Sequence, residues 1–201
     1  MPSFQSIKAT SEGFYKEKGS KFLALAFPVR TEDDIKNRLD DLRKQYYDAR
    51  HHCYAYILGN KGDKYRANDD GEPNHSAGDP ILGQIRSKDL TNTLVVVVRY
   101  FGGTKLGVSG LITAYKTAAK EALDAAEVIE TTIKDEVLID FSYEQTSDVM
   151  RLAKEFNLEI QNQTFQETCS LQGFIDVGTG DLLKEKLALA GVSSVRIVRA
   201  T

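Results

Sequence analysis

Two short segments of this chain gather the residue types that do chemistry. In the first, Asn68-Asp69-Asp70-Gly71-Glu72-Pro73, three carboxylates fall within four positions on a stretch bent by glycine and proline. Oxygen ligands at that density can hold a hard cation or accept donors from a partner's amides. The same residues also read as a tight turn, because Asp-Gly is a hairpin signal and acids there are simply solvated. The second segment is Arg99-Tyr100-Phe101-Gly102-Gly103-Thr104-Lys105-Leu106-Gly107-Val108-Ser109-Gly110. It follows an expected strand and opens an expected helix, where free backbone N–H groups and the positive helix end favour an anion. Glycines let a ligand approach the backbone, Arg99 and Lys105 add charge, and Tyr100 and Phe101 add stacking faces. The spacing matches neither the nucleotide-kinase phosphate loop nor the dinucleotide fingerprint. The alternative is a glycine-rich turn that lets helix and sheet approach closely.

Taken together, the segments define one candidate surface between residues 68 and 110. Arg99, Tyr100, Phe101, Gly102, Gly103, Lys105, Gly107 and Gly110 are its ligand- or anion-binding candidates, and Asp69, Asp70 and Glu72 are its possible metal ligands. If the strands carrying the segments are neighbours, the pair can hold a phosphate with its metal. Equally, Arg99 and Lys105 can neutralise the acids in a structural network. His51 and His52 are adjacent on an expected strand, so they point to opposite faces. With Cys53 they still fall short of a zinc set. His75 reads as a surface loop histidine, though it lies inside the suspect region and can shuttle protons. Ser76, Ser109 and the histidines form no recognisable nucleophile arrangement, so no catalytic residue is assigned.

The surrounding elements must position these segments. A strand is expected over 22–29, then a helix capped near Thr31 with Ile35, Leu39, Leu42 and Tyr46 along one stripe. A strand over 52–58 leads into a polar stretch over 59–78. Asp79-Pro80 offers an N-cap and a first helical position for a short helix reaching Ile85. A buried strand rich in β-branched residues is expected over 93–99, and the longest helix over 111–126. Beyond a boundary near Glu130-Thr131 the pattern reads strand 133–141, helix 144–157, strands 158–165 and 168–177, a helix bearing Leu182, Leu183, Leu187 and Ala190, and strand 192–198. That β-α-β-β-α-β order is the ferredoxin-like unit. The fold class is therefore α+β, with domains at 1–131 and 132–201.

Composition narrows the setting. A chain of 201 residues with 41% hydrophobic content can bury a core in one large domain or two small ones. The longest apolar run, 94–98, is strand-sized and far short of the roughly 18–20 residues of a membrane span. Residues 1–8 lack the basic start and apolar stretch of a signal peptide. Cys53 and Cys169, without Cys-x-x-Cys spacing, are expected as buried thiols in a reducing compartment. A cytoplasmic protein with no membrane partner is the expectation. Net charge is −3, divided as 19 Lys/Arg against 18 Asp/Glu in residues 1–130 and 7 against 11 in residues 131–201. Broad nucleic-acid binders are basic, so any such contact here is confined to a local patch of the first domain.

Three strings in order carry a resemblance: His52-Cys53-Tyr54-Ala55-Tyr56; Asp70-Gly71-Glu72-Pro73 with Ala77-Gly78 and Pro80-Ile81-Leu82; and Arg99-Tyr100-Phe101-Gly102-Gly103-x-Lys105-Leu106-Gly107-x-x-Gly110-Leu111 with Ala114-Tyr115. With them the chain resembles the YigZ/IMPACT family along its whole length. The RWD domain that precedes this module in eukaryotic IMPACT proteins has no counterpart here. The resemblance implies a ribosomal-protein-S5-domain-2-like domain followed by one like the last domain of elongation factor G. Eukaryotic IMPACT proteins modulate a translation-control kinase by competing for its activator, which favours a translation-linked role. The chain departs from the pattern at Asn74-His75-Ser76, where Ser-Gly-Thr is expected, at Ser109, where Gly is expected, and at Thr113, often Arg.

Three functions fit these observations. The first is a non-catalytic binding protein that contacts RNA, the ribosome or a translation-associated protein through the two-segment surface, without a cofactor. The second is a metal-assisted hydrolase or transferase, with Mg²⁺ on Asp69, Asp70 and Glu72 and phosphate on Arg99, Lys105 and the 102–110 amides. The third is a docking site for a protein partner with neither metal nor RNA. Binding ranks first because no nucleophile or general base has an orienting partner. The oligomeric state leaves no mark in the sequence.

Overall fold

The computed structural model of the chain describes residues 2–200. In chain order the first part forms β1 (Ser3–Ile7), β2 (Ser11–Glu17), β3 (Ser20–Pro28), α1 (Glu32–Gln45), β4 (His51–Leu58), β5 (Lys64–Asn68), α2 (Gly78–Ser87), β6 (Thr93–Tyr100), α3 (Gly107–Asp124) and β7 (Val128–Thr132). β2, β3, β6, β4 and β5 make one antiparallel sheet in that order, while β1 and β7 pair separately. β6 lies at the centre, and Thr93 to Arg99 are all buried. A strand covered on both faces needs apolar residues at consecutive positions rather than alternating ones, which is what Leu94 and the four valines supply. One face packs on α1 through Ile35, Leu39 and Leu42 with Leu25, Val96 and Val98. The other packs on α2 and α3 through Ile81, Ile85, Ala114, Tyr115, Ala118 and Ala122 with Phe22, Cys53 and Val97.

α1 starts where Thr31 and Asp34 exchange side-chain and backbone hydrogen bonds, a capping box at the position the sequence indicates. α2 starts differently. Ala77, not Asp79, stands at its N-cap, and Pro80 is its third residue rather than its first. Asp79 is displaced because Asp69, eight residues upstream of Ala77, already accepts from the first amides of the helix. α3 begins at Gly107, four residues before the expected start at Leu111. Glycine has weak helix propensity, yet here it forms the first turn of a long helix anchored by tertiary packing.

The second part runs β8 (Lys134–Phe141), a 3₁₀ turn at Tyr143–Gln145, α4 (Thr146–Glu155), β9 (Glu159–Thr164), β10 (Cys169–Asp176), α5 (Gly180–Leu189) and β11 (Ser194–Val198). Its antiparallel sheet has the order β11-β8-β10-β9. Val137, Ile139, Leu171 and Ile175 of that sheet bury against Val149, Leu152, Leu183 and Leu187 of the helices. The chain divides into two compact units, Phe4–Thr131 and residues 132–200 with residues 2–3. No described helix is long and apolar enough to cross a membrane.

Candidate functional site: a buried ion pair beneath a glycine-rich loop

Strand register brings the two candidate segments together. β4 lies between β6 and β5, with His51 opposite Arg99 and Tyr54 opposite Asn68. The acidic segment leaves β5 and the glycine-rich segment leaves β6, so both start at the same end of the sheet. Each acid of the first segment meets a donor of the protein itself. Asp69 accepts from the backbone N–H groups of Ala77 at 3.1 Å and Gly78 at 2.8 Å on one oxygen, and from His75 N–H at 2.8 Å on the other. Asp70 accepts from His52 N–H at 2.7 Å, and its carbonyl lies 2.8 Å from His51 Nδ1. Glu72 turns inward, where its Oε1 accepts from Arg99 Nη1 at 2.5 Å and from the Tyr115 hydroxyl at 2.7 Å.

Arg99 and Glu72 are 5% and 8% exposed, so the pair is desolvated on both sides. The guanidinium lies between the rings of Phe22 and Phe101, 5.5 and 5.6 Å from their centroids. Its Nη2 reaches Ser20 Oγ at 3.5 Å, and its buried Nε has no partner among the described residues. Ser20 Oγ also accepts from Gly102 N–H at 3.1 Å, which ties the start of the glycine-rich loop to the β2–β3 hairpin. The two backbones meet here so closely that a Cβ on Gly102 would sit 2.0 Å from the carbonyl carbon of Gly19. On the far side of Tyr115, Cys53 donates to the Asp69 carbonyl at 3.0 Å and lies 3.3 Å from the Tyr115 hydroxyl. Burial pushes the Cys53 thiol and the Tyr115 phenol well above their usual ranges, so both stay neutral. Burial likewise lowers His52.

Lys105 behaves differently from Arg99. It stands exposed on the loop and joins no ion pair among the described residues. Phe101, Gly102, Gly103, Thr104, Gly107, Val108 and Ser109 are exposed beside it. The first turn of α3 has no side-chain cap and no acidic residue. Of the candidate residues, then, Asp69, Asp70, Glu72 and Arg99 build the platform. Gly102, Gly103, Lys105 and Gly107 form its outer surface with the Phe101 ring, and Gly110 is half-buried. Tyr100 points to the other face of the sheet and donates to Asp48 at 3.0 Å. The Mg²⁺ arrangement requires Asp69, Asp70 and Glu72 to converge, and they do not: each faces a different protein donor. Among the described residues no group of three His, Cys, Asp or Glu is placed to hold a metal ion.

The departure at 74–76 also has a geometry. His75 has φ +64°, a left-handed backbone that favours glycine and, among other residues, Asn, Asp and His. The Gly expected at this position by family resemblance would adopt it without strain. Here His75 Nδ1 lies 2.6 Å from Asp79, whose hydrogen bond raises the imidazole above its usual range. The clasp itself depends on Asp69. Asp69→Ala is expected to lower stability by about 2 kcal/mol, the upper range for a lost cap, because three amides lose one acceptor. Asp69→Asn should recover part of this. Urea denaturation of the three proteins checks the order.

This α+β architecture has recognisable relatives. Residues 18–123, more than half of the chain, match the model of the Impact N-terminal domain. The IMPACT family member YvyE of Bacillus subtilis is 29% identical over 174 residues, covering 87% of this chain and 80% of that protein. YigZ of Escherichia coli, another IMPACT family member, is 31% identical over 151 residues, 74% of each chain. A crystal structure of a hypothetical protein superposes with a TM-score of 0.76 at 27% identity, covering 100% of this chain and 98% of that one. The chain belongs to the IMPACT family.

Proposed function

We propose that this protein is a non-catalytic binding protein of the cytoplasm, linked to translation through contacts with RNA. Its contact surface is the loop from Phe101 to Gly110 with the first turn of α3. The observation that carries this reading is a division of labour between two cations on one loop. Arg99 is buried and neutralised by Glu72, whereas Lys105 is exposed without a carboxylate beside a helix start that has no acid in its first turn. Uncapped amides, the positive helix end and a free ammonium together favour a phosphate. With Asp69, Asp70 and Glu72 held by protein donors, no observation favours the phosphoester hydrolase.

The fold supports the same direction by analogy. The order β11-β8-β10-β9 with two helices on one face is that of a ferredoxin-like domain. The first unit is read as the ribosomal-protein-S5-domain-2-like fold. Paired with a domain like the last of elongation factor G, it argues for a ribosome-linked role, as does the resemblance to eukaryotic IMPACT proteins. Fold analogy alone is a weak warrant, so the test lies in the loop. Wild type is expected to co-sediment with ribosomes or RNA at low salt and to be released as salt rises. Lys105→Glu should abolish co-sedimentation without changing the melting temperature. Wild type that stays wholly in the supernatant at low salt would refute the reading.

A further inference from the structure

We infer that Lys16, Lys18 and Lys21 of the β2–β3 hairpin, with the exposed ring of Phe14, bind the phosphates and bases of a single-stranded RNA. The inference rests on the reading above and extends its surface to a second element. Lys16 on β2 stands directly opposite Lys21 on β3. Side chains at such positions lie roughly 5 Å apart, and like charges there are destabilising. Lys18 occupies the turn between them at φ +46°, in the left-handed region. All three are exposed, and none joins an ion pair among the described residues. Of the two acids of β2, Glu17 alternates to the other face and accepts from the Tyr15 hydroxyl at 3.0 Å, and Glu12 shares the Lys16 face four positions along, beyond Phe14 and opposite Leu25. Asp48, the acceptor for Tyr100 beside Lys21, joins no ion pair among the described residues.

Protection of a sheet edge explains only part of this. β2 is an edge strand, and lysine on an edge discourages pairing with other chains. Lys21 lies on β3, however, which is hydrogen-bonded on both sides by β2 and β6. An interior strand needs no such guard, so the repulsion is retained without a folding benefit. The hairpin turn also abuts the proposed loop: Gly19 lies against Gly102, and Ser20 accepts from Gly102 N–H. Lys18 therefore stands where the loop bearing Lys105 begins. Phe14, 51% exposed, shares with Lys16 and Lys21 the Tyr100 face of the sheet, while Phe101, 48% exposed, covers Arg99 on the opposite face, so the turn at Lys18 is where the two surfaces adjoin. Lysines interleaved with exposed rings suit a strand whose bases are free to stack. Charge and exposed rings would also serve an anionic membrane; the contact of the turn with the loop already read as an RNA surface decides for RNA.

The test measures binding of the full-length protein to a short fluorescein-labelled oligouridine by anisotropy across a salt series, with phosphatidylserine vesicles in parallel. Lys16→Ala/Lys21→Ala is expected to weaken oligouridine binding about 25-fold at about 0.1 M salt and to flatten the salt dependence. This takes about 0.7 decade of affinity per lost phosphate contact per decade of salt. Its melting temperature should stay level or rise, because the repulsion is relieved. Phe14→Ala should weaken binding with the salt slope unchanged. Unchanged affinity in the double variant, while Lys105→Glu abolishes binding, would overturn this inference and leave the loop reading standing. Loss in the double variant with none in Lys105→Glu would do the reverse. No oligouridine binding by wild type at low salt, or binding to vesicles alone, would overturn both.

Discussion

Arg99→Met is expected to destabilise the first unit by about 3–5 kcal/mol, the range for removing one partner of a buried ion pair. The loss arises less from the missing attraction than from the partner left behind. Glu72 would keep Tyr115 as a donor but remain a carboxylate excluded from water. Against a domain stability of roughly 5–15 kcal/mol, this approaches the whole margin. The companion variant makes the claim specific. Arg99→Met with Glu72→Gln replaces both charges, and a neutral amide can still accept from Tyr115, so most of the loss should be recovered. Chemical denaturation followed by tryptophan-free probes, such as far-ultraviolet circular dichroism, gives the values. A single-variant loss under about 1 kcal/mol would mean that water reaches the pair in solution, because exposed pairs contribute that little.

Gly102→Ala is the second large effect, and its origin is steric. The added Cβ would lie 2.0 Å from Gly19 C and 2.2 Å from Ser20 N. Backbone cannot rotate aside as a side chain can, so the hairpin or the loop must shift, at about 2–3 kcal/mol by comparison with overpacked cores. The shift would also open the Ser20–Gly102 hydrogen bond, so the RNA binding proposed for this loop should fall with stability. Gly103→Ala provides the contrast. Gly103 has φ +88° and nothing within 4 Å of an added Cβ. Its replacement meets only the left-handed penalty of about 1–2 kcal/mol. Thermal melts that rank Gly103→Ala as the more damaging change would show that conformation, not contact, governs this loop.

The sequence was legible where one physical signal dominated. The valine run of β6 could only be a strand covered on both faces, and Thr31 with Asp34 announced the start of α1. β1, β2, β5 and β7 were not foreseen. β2 mixes charges with Gly13, a poor strand former, and its glycine is explained only by α3 crossing above it, where a Cβ would lie 2.3 Å from Ala122 N. β5, Lys64-Tyr65-Arg66-Ala67-Asn68, does alternate, but only Tyr65 and Ala67 are apolar in its five residues, too short a signal to separate from the polar stretch around it. The two motifs could be located because glycine, acid and base clustered at unusual density. Their division into platform and surface could not, because burial of Arg99 depends on Phe22, Ser20 and Glu72, which are far away in the chain. The hairpin lysines escaped notice for the same reason: opposition of Lys16 and Lys21 exists only once the strands pair.

The clasp formed by Asp69 has a consequence for how this loop can evolve. Its three hydrogen bonds reach backbone amides of His75, Ala77 and Gly78, and side-chain identity at 74–76 contributes to none of them. Substitution at the exposed Asn74 is therefore cheap, whereas position 75 needs a residue that accepts a left-handed backbone, and Ser76 is buried and donates to the Pro73 carbonyl. A change in residue number is different, because it would slide those amides out of reach and unseat the start of α2. Among sequences that share this architecture, the spacing from Asp69 to Gly78 should stay constant, with drift confined to the exposed position 74 and, among residues that accept a left-handed backbone, to position 75.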